Sequence, residues 1–138
     1  MVRINLIDPK KLSDQHLIAE YNEILMLLGY VRKHPETYEI NHDYCLGKGH
    51  IRFFKDKLLY LKKRHQIIKK EMKLRGFRKD KTIDLRNFPK NLRNDWKPKQ
   101  ESFKIIKKRL REKINFRPDF YRYYKVKRNK RFFLDLLK

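Results

Sequence analysis

The sequence predicts an all-α fold: one compact domain over residues 1–138, with three main helices, irregular loops and an N-terminal arm passing between helices. Three observations lead there. Apolar residues recur at three- and four-residue steps in three separate stretches, the pattern of helices with one buried face. Segments rich in Pro, Gly and Asn, at 34–49 and 77–98, separate those stretches and read as loops. A chain of 138 residues supports a single core and is too short for two.

Residues 1–12 form the arm, with 3–6 extended and Pro9 keeping the adjoining stretch out of a helix interior. Ser13 suits an N-cap, and Leu12 and Leu17 stand at the spacing of a hydrophobic staple. The first helix is expected from about 14 to 32, burying Leu17, Tyr21, Ile24, Leu25 and Leu28. His16, Glu20 and Glu23, at i, i+4 and i+7, fall together on an adjacent stripe.

In the loop 34–49, His42, Cys45 and nearby His50 are residue types that bind zinc, but their spacing matches no familiar site and no metal is expected. The second helix is the clearest in the chain, with Ile51, Phe54, Leu58, Leu61, Ile68 and Met72 in register. His65 sits on that apolar stripe and is expected to be a hydrogen-bonded core or boundary residue. Gly76 fits the left-handed position that ends a helix, with Phe77 packing back on it. The third helix should occupy 100–115, burying Phe103, Ile106, Leu110 and Ile114 and ending before Pro118. Beyond it Phe120, Tyr121, Tyr123 and Tyr124 surround Arg122, rings and a guanidinium suited to stacking on bases or entering a distorted step. Residues 126–138 read as an extension holding a short amphipathic helix docked on the body.

Charge narrows the partner. The formal net charge is +22, from 38 Lys and Arg against 16 Asp and Glu, and such an excess points to a polyanion, nucleic acid before all. No apolar run approaches the roughly 18 residues needed to cross a bilayer, and the front of the chain has no signal-peptide pattern. A soluble, intracellular protein with no membrane partner is expected. Cys45 is the single cysteine, so no internal disulfide forms. Residues 1–33 carry five basic and four acidic side chains, against twelve and three over 50–80 and fifteen and four over 99–138. Binding and chemistry are therefore expected to be divided along the chain.

The chemistry is expected at the front end. Val2 is small enough for Met1 to be removed, which would leave an α-amine beside Arg3. An α-amine has a pKa of roughly 7.7 to 8, so about a tenth of it is neutral and nucleophilic near pH 7 without burial. Glu23 would face a common pocket with His16, although a lone helix carboxylate is often merely solvated.

The strings RINL at 3–6, DQHLIAEY at 14–21 with Glu23, VRKH at 31–34, LGKGH at 46–50 and FFKDKL at 53–58 closely resemble the bacteriophage-type pyrimidine-dimer DNA glycosylase/AP lyases. RGF at 75–77, EKI at 112–114, RP at 117–118 and YRYY at 121–124 come after them in the same order, so the resemblance covers nearly the whole chain. It implies double-stranded DNA with a damaged base or abasic site as partner, no cofactor, no metal, and a monomer. Val2 would be the nucleophile and Glu23 the carboxylate assisting imine formation and β-elimination. Arg3 and His16 would hold the sugar and flanking phosphates, Arg109 and Lys113 match basic positions that approach DNA, and the segment Phe120, Tyr121, Arg122, Tyr123 and Tyr124 would contact the duplex. The extruded base would be the one opposite the lesion.

Four positions depart from the family pattern. Arginines that precede the family glutamate by one residue and come three after it are here Asn22 and Met26. The usual Thr and Trp are Val2 and Phe120. The resemblance thus implies retained imine chemistry with weaker selection of dimers. The alternatives are a glycosylase/AP lyase of the same family specific for another damaged base, or a non-catalytic basic nucleic-acid-binding protein.

Overall fold

Helices carry most of the chain. A computed structural model describes residues 3–36, 40 and 42–138. Its helices are α1 (Asp14–Lys33), α2 (Gly49–Phe54), α3 (Leu58–Leu74), α4 (Gln100–Phe116) and α5 (Lys130–Leu136). Short 3-10 turns lie at Pro9–Lys11 and Lys90–Leu92, and the strands β1 (Arg122–Tyr123) and β2 (Val126–Lys127) form a small antiparallel ribbon. The expected three helices are thus five among the described residues, and the all-α class acquires one hairpin.

The first helix begins as its sequence dictates. The Ser13 hydroxyl accepts the His16 N–H at 3.1 Å, and Leu12 and Leu17 are both buried beside that cap. Leu27 and Val31 join its buried face, whereas Leu25 is only partly covered. The main correction concerns the second helix, which is interrupted at residues 55–57. There the chain edge pairs with a distant segment: Lys57 and Arg93 form an isolated bridge, the Asn94 amide donates to the Asp56 carbonyl at 2.9 Å, and Tyr60 N–H donates to the Asn94 carbonyl. Backbone groups that would close the helix find partners outside it. Phe53, Phe54, Tyr44 and Trp96 make an aromatic cluster at the break, with ring centroids 4.9 to 6.2 Å apart.

Gly76, at φ 85°, ends α3 as expected, and Phe77 N–H returns to the Met72 carbonyl. Residues 77–98 have little regular structure but bury Ile83, Leu85, Phe88 and Leu92 against the helices. On α4, Ser102 takes a buried position and Phe103 is only partly covered, while Ile106, Leu110 and Ile114 are buried as expected. The extension forms α5, whose Phe133 is buried along with the adjoining Leu137, and the Phe133 ring meets that of Tyr121 at 6.1 Å.

The hairpin turn is unusual in lacking glycine. Tyr124 and Lys125 sit at φ 52° and 67°, the left-handed region that most side chains avoid. The Asp14 carboxylate accepts both their amides, at 3.1 and 2.7 Å, and holds the turn against that preference.

Candidate active site

Going around α1 at about 100° per residue, His16, Ala19 and Glu23 share one side. Against it lies a pocket of about 190 Å³ lined by Arg3 and Asn5 of the arm, Gln15, His16 and Ala19 of α1, Arg109, Leu110 and Lys113 of α4, and Phe120 and Tyr121. Glu23 stands one turn beyond Ala19 and is partly buried. Burial holds its carboxyl above the usual glutamate value, and the Arg3 charge opposes that rise.

Glu20, expected on the same stripe, is turned away. It is fully buried and accepts Nε and Nη2 of Arg64 at 2.6 and 3.0 Å. Its place about 40° around the helix from His16 puts it inside the buried arc, so α3 captures it.

The arm is fixed at both ends of a short run. The Nε2 of His50 accepts the Ile4 N–H at 2.9 Å, and Tyr44 Oη donates to the Ile4 carbonyl at 3.0 Å. With Nε2 an acceptor, Nδ1 of His50 carries the proton and donates to the Cys45 carbonyl at 2.9 Å. Both ring nitrogens are thereby used, and burial lowers the imidazole to about 4. At the other end Arg64 Nη1 donates to the carbonyls of Leu6 and Ile7, at 3.1 and 2.6 Å, around a three-residue turn with Leu6 at φ 62°. Arg3, Ile4, Asn5, Leu6 and Ile7 are all buried. Val2, the expected nucleophile, lies outside the described residues.

His16 is set up as a neutral ring. Burial, then the charges of Arg109 and Lys113, lower it to about 4, and its Nδ1 lies 2.9 Å from the Ser13 hydroxyl. It stacks on Tyr121 with ring centroids 4.7 Å apart. Burial and the Arg3 charge likewise lower Arg109, so the pocket concentrates positive charge that an anionic ligand would relieve.

The aromatic segment divides. Gln15 pins it to α1, its amide donating to the Phe120 carbonyl at 2.9 Å and accepting Arg122 N–H at 3.0 Å. Tyr121 is buried, while Phe120 is 48% exposed with the Arg117 guanidinium 4.9 Å from its ring centroid, and Phe116 nearby in sequence is 80% exposed. Tyr123 and Tyr124 leave the pocket for a buried ionic cluster: their hydroxyls donate to the Lys10 carbonyl and to Glu71, and both rings face Arg75, which pairs with Asp14 and Glu71. Asn22 and Met26 are exposed on the pocket side of α1, Met26 at 69%. The structure therefore gathers Arg3, His16, Arg109, Lys113, Phe120 and Tyr121, sets Glu23 beside them, and places Tyr123 and Tyr124 elsewhere.

Four residues have positioning roles that no local signal in the sequence announces: Tyr44, His50, Gln15 and Arg64. Each acts on backbone groups far along the chain, which no short pattern reveals. His65, expected to be hydrogen-bonded, is buried and stacks on Tyr21 at 4.5 Å, but its Nε2 has no hydrogen-bond partner among the described residues.

A small basic helical protein with a glutamate and a cation-lined pocket at the root of its N-terminal arm has the attributes of an enzyme acting on nucleic acid. A family model for pyrimidine dimer DNA glycosylases matches residues 1–85, which contain the arm, α1, α2 and α3. The chain belongs to that family, and membership implies DNA glycosylase activity on a DNA substrate.

Proposed function

We propose that the protein is a glycosylase with AP lyase activity that acts on pyrimidine dimers and abasic sites through a Schiff base on the α-amine of Val2, exposed by removal of Met1. The observation that carries this reading is the arm anchored by His50, Tyr44 and Arg64, whose Arg3 charge acts on the partly buried Glu23. In the proposed reaction the amine attacks C1′ and the base departs with its bonding electrons and a proton. The C1′–O4′ bond then breaks, the nitrogen lone pair forming the iminium while O4′ takes a proton. The iminium acidifies C2′–H, and loss of that proton expels the 3′ phosphate. Glu23 stabilises the cationic sugar and moves the protons, for which a carboxyl whose hold on a proton is strengthened by burial is suited. Arg3, Arg109 and Lys113 offer charge to the flanking phosphates. His16, neutral near pH 7, contributes its ring and hydrogen bonding rather than charge.

Borohydride trapping on abasic duplex DNA tests the reading, combined with intact-mass measurement of the N-terminus. Protein lacking Met1 should form the covalent adduct, and N-terminal acetylation should abolish it. An adduct that forms at an unchanged rate on the acetylated protein would assign the chemistry to a lysine. Absence of an adduct with protein lacking Met1 would overturn the Schiff-base reading.

A further inference from the structure

A second cationic concavity lies on the side of α1 away from the pocket. It is open, about 940 Å³ in volume, and bounded by Lys69, Lys70 and Lys73 of α3 and by Arg78 and Lys79 of the loop after it. Its position is set by two contacts: Lys81 N–H donates to the Tyr21 hydroxyl at 3.1 Å, and the Tyr21 ring stacks on His65 of α3. Tyr21 is two residues from both Ala19 and Glu23, which puts it about 160° around α1 from each. A duplex engaged at Glu23 is thus held on the opposite side of that helix.

The chemistry of the concavity is one-sided. Asp80 is the only acid lining it, and none of the five cations forms an ion pair with a carboxylate among the described residues. The buried arginines Arg64 and Arg75 differ, each being matched by carboxylates of Glu20, Asp14 and Glu71. Lys70, Lys73, Arg78 and Lys79 are exposed, and Phe77 forms a partly covered apolar floor. Mobile lysine ammonium groups around an open trough suit a line of phosphates, because duplex DNA carries a negative charge about every 1.7 Å and needs no directional base contact to bind there. We infer that this trough binds the backbone of a second DNA duplex while the pocket holds the first, so that one molecule bridges two segments. The inference rests on DNA being the substrate and is independent of the imine chemistry.

Bridging can be measured with the full chain. A bead-bound duplex of about 20 base pairs carrying a stable abasic-site analogue is loaded with protein, washed, and offered a labelled undamaged duplex, with sedimentation verifying one protein per two duplexes. Wild type should capture the second duplex, and K69E/K70E/K73E should reduce capture at least about tenfold near 0.1 M salt. Removing three phosphate contacts should also lower the salt dependence of capture by about 2.7 in log–log slope. Cleavage of a short abasic duplex at saturating protein should stay within twofold, which separates loss of the trough from loss of the active site. R78A/K79A, in the exposed loop, provides the same test should charge reversal on α3 unfold the protein. The inference is overturned if wild type captures no second duplex, if the variants capture it as well as wild type, if capture requires two protein molecules, or if an RNA hairpin or acidic peptide displaces the second duplex at far lower concentration than DNA does.

Discussion

Glu20 and Glu23 lie three residues apart on one helix and have opposite fates. Glu20 is fully buried, gives both oxygens to the Arg64 fork, and through Arg64 secures the carbonyls of Leu6 and Ile7. Glu23 is partly buried at a pocket crowded with cations, where burial raises its carboxyl despite Arg3. On the first side of α1 charge serves structure. On the second, positive charge gathers, Arg109 is lowered by burial and by Arg3, and His16 is kept neutral. The contrast teaches that a carboxylate is made structural or chemical by its angular position: about 60° around the helix separates the two.

Exchanging the carboxylates one at a time should break the comparison most sharply. Glu23→Gln should lower single-turnover strand cleavage by roughly 10²- to 10⁴-fold, the usual weight of a positioned acid–base group, with DNA affinity equal or slightly higher. Its thermal midpoint should hardly move. Cleavage near the wild-type rate would remove Glu23 from the mechanism. Glu20→Ala should do the reverse, destabilising the fold by about 3 to 5 kcal/mol because Arg64 is left as an unpaired buried charge. Urea denaturation measures this, and a loss below about 1 kcal/mol would show that Arg64 finds another partner.

Acid should probe both sides at once. His16, His50 and His65 are each held near 4 in the folded protein, against 6.5 for an ordinary imidazole, and burial is the leading cause in all three. Between those limits the unfolded chain binds protons that the folded one refuses, so stability is complete above about pH 6.5 and is lost as pH falls toward 4. The loss grows across that window as each ring takes up its proton. Denaturation midpoints measured from pH 7.5 to 4.5 should fall steadily, and His65→Gln should flatten part of the slope. A midpoint unchanged down to pH 5 would contradict the buried neutral rings.

How much of this was legible in the sequence depended on distance along the chain. The Ser13 cap and the spans of α1 and α4 were readable because the cause of each lies within its own few turns. The break between α2 and α3 was not, because Arg93 and Asn94 impose it from more than thirty residues away. Glu20 was misplaced onto the pocket stripe for the same reason, its partner lying 44 residues on. The hairpin was hidden because Tyr124 and Lys125 lack the usual turn residues, their support coming from Asp14, more than a hundred residues earlier in the chain. His50 is of a residue type that binds zinc, although no metal is expected of it, and its place in the fold is as a clamp on Ile4. Residue types at the pocket could be named in advance; which backbone groups they hold could not.

The smallest effect expected is also the one most specific to this chain. Asn22 and Met26 are exposed on the pocket side of α1, within about 60° of the line through Ala19, so their side chains are free to change without disturbing the core. In the proposed reaction, imine chemistry at an abasic aldehyde needs the amine, Glu23 and a hold on the phosphates, whereas choosing a dimer also needs donors aimed at the lesion. Asn22 is short and uncharged, and Met26 offers no donor; Arg109 and Lys113 of α4 supply charge to the pocket but not from those two positions. Asn22→Arg and Met26→Arg would each add a planar fork able to hold a phosphate and a carbonyl together. One such charged hydrogen bond is worth about 1.5 to 3 kcal/mol, roughly a ten- to hundredfold rise in the preference for a dimer over an abasic site. Stability should shift by no more than about 0.5 kcal/mol, as for other surface substitutions. Single-turnover rates on one duplex carrying either lesion give the ratio directly. If both variants leave that ratio unchanged, selection on this side of α1 is made elsewhere, by the arm or by Phe116 and Phe120. If they lower stability by several kcal/mol, the division between a structural and an uncommitted side of the helix fails at these positions.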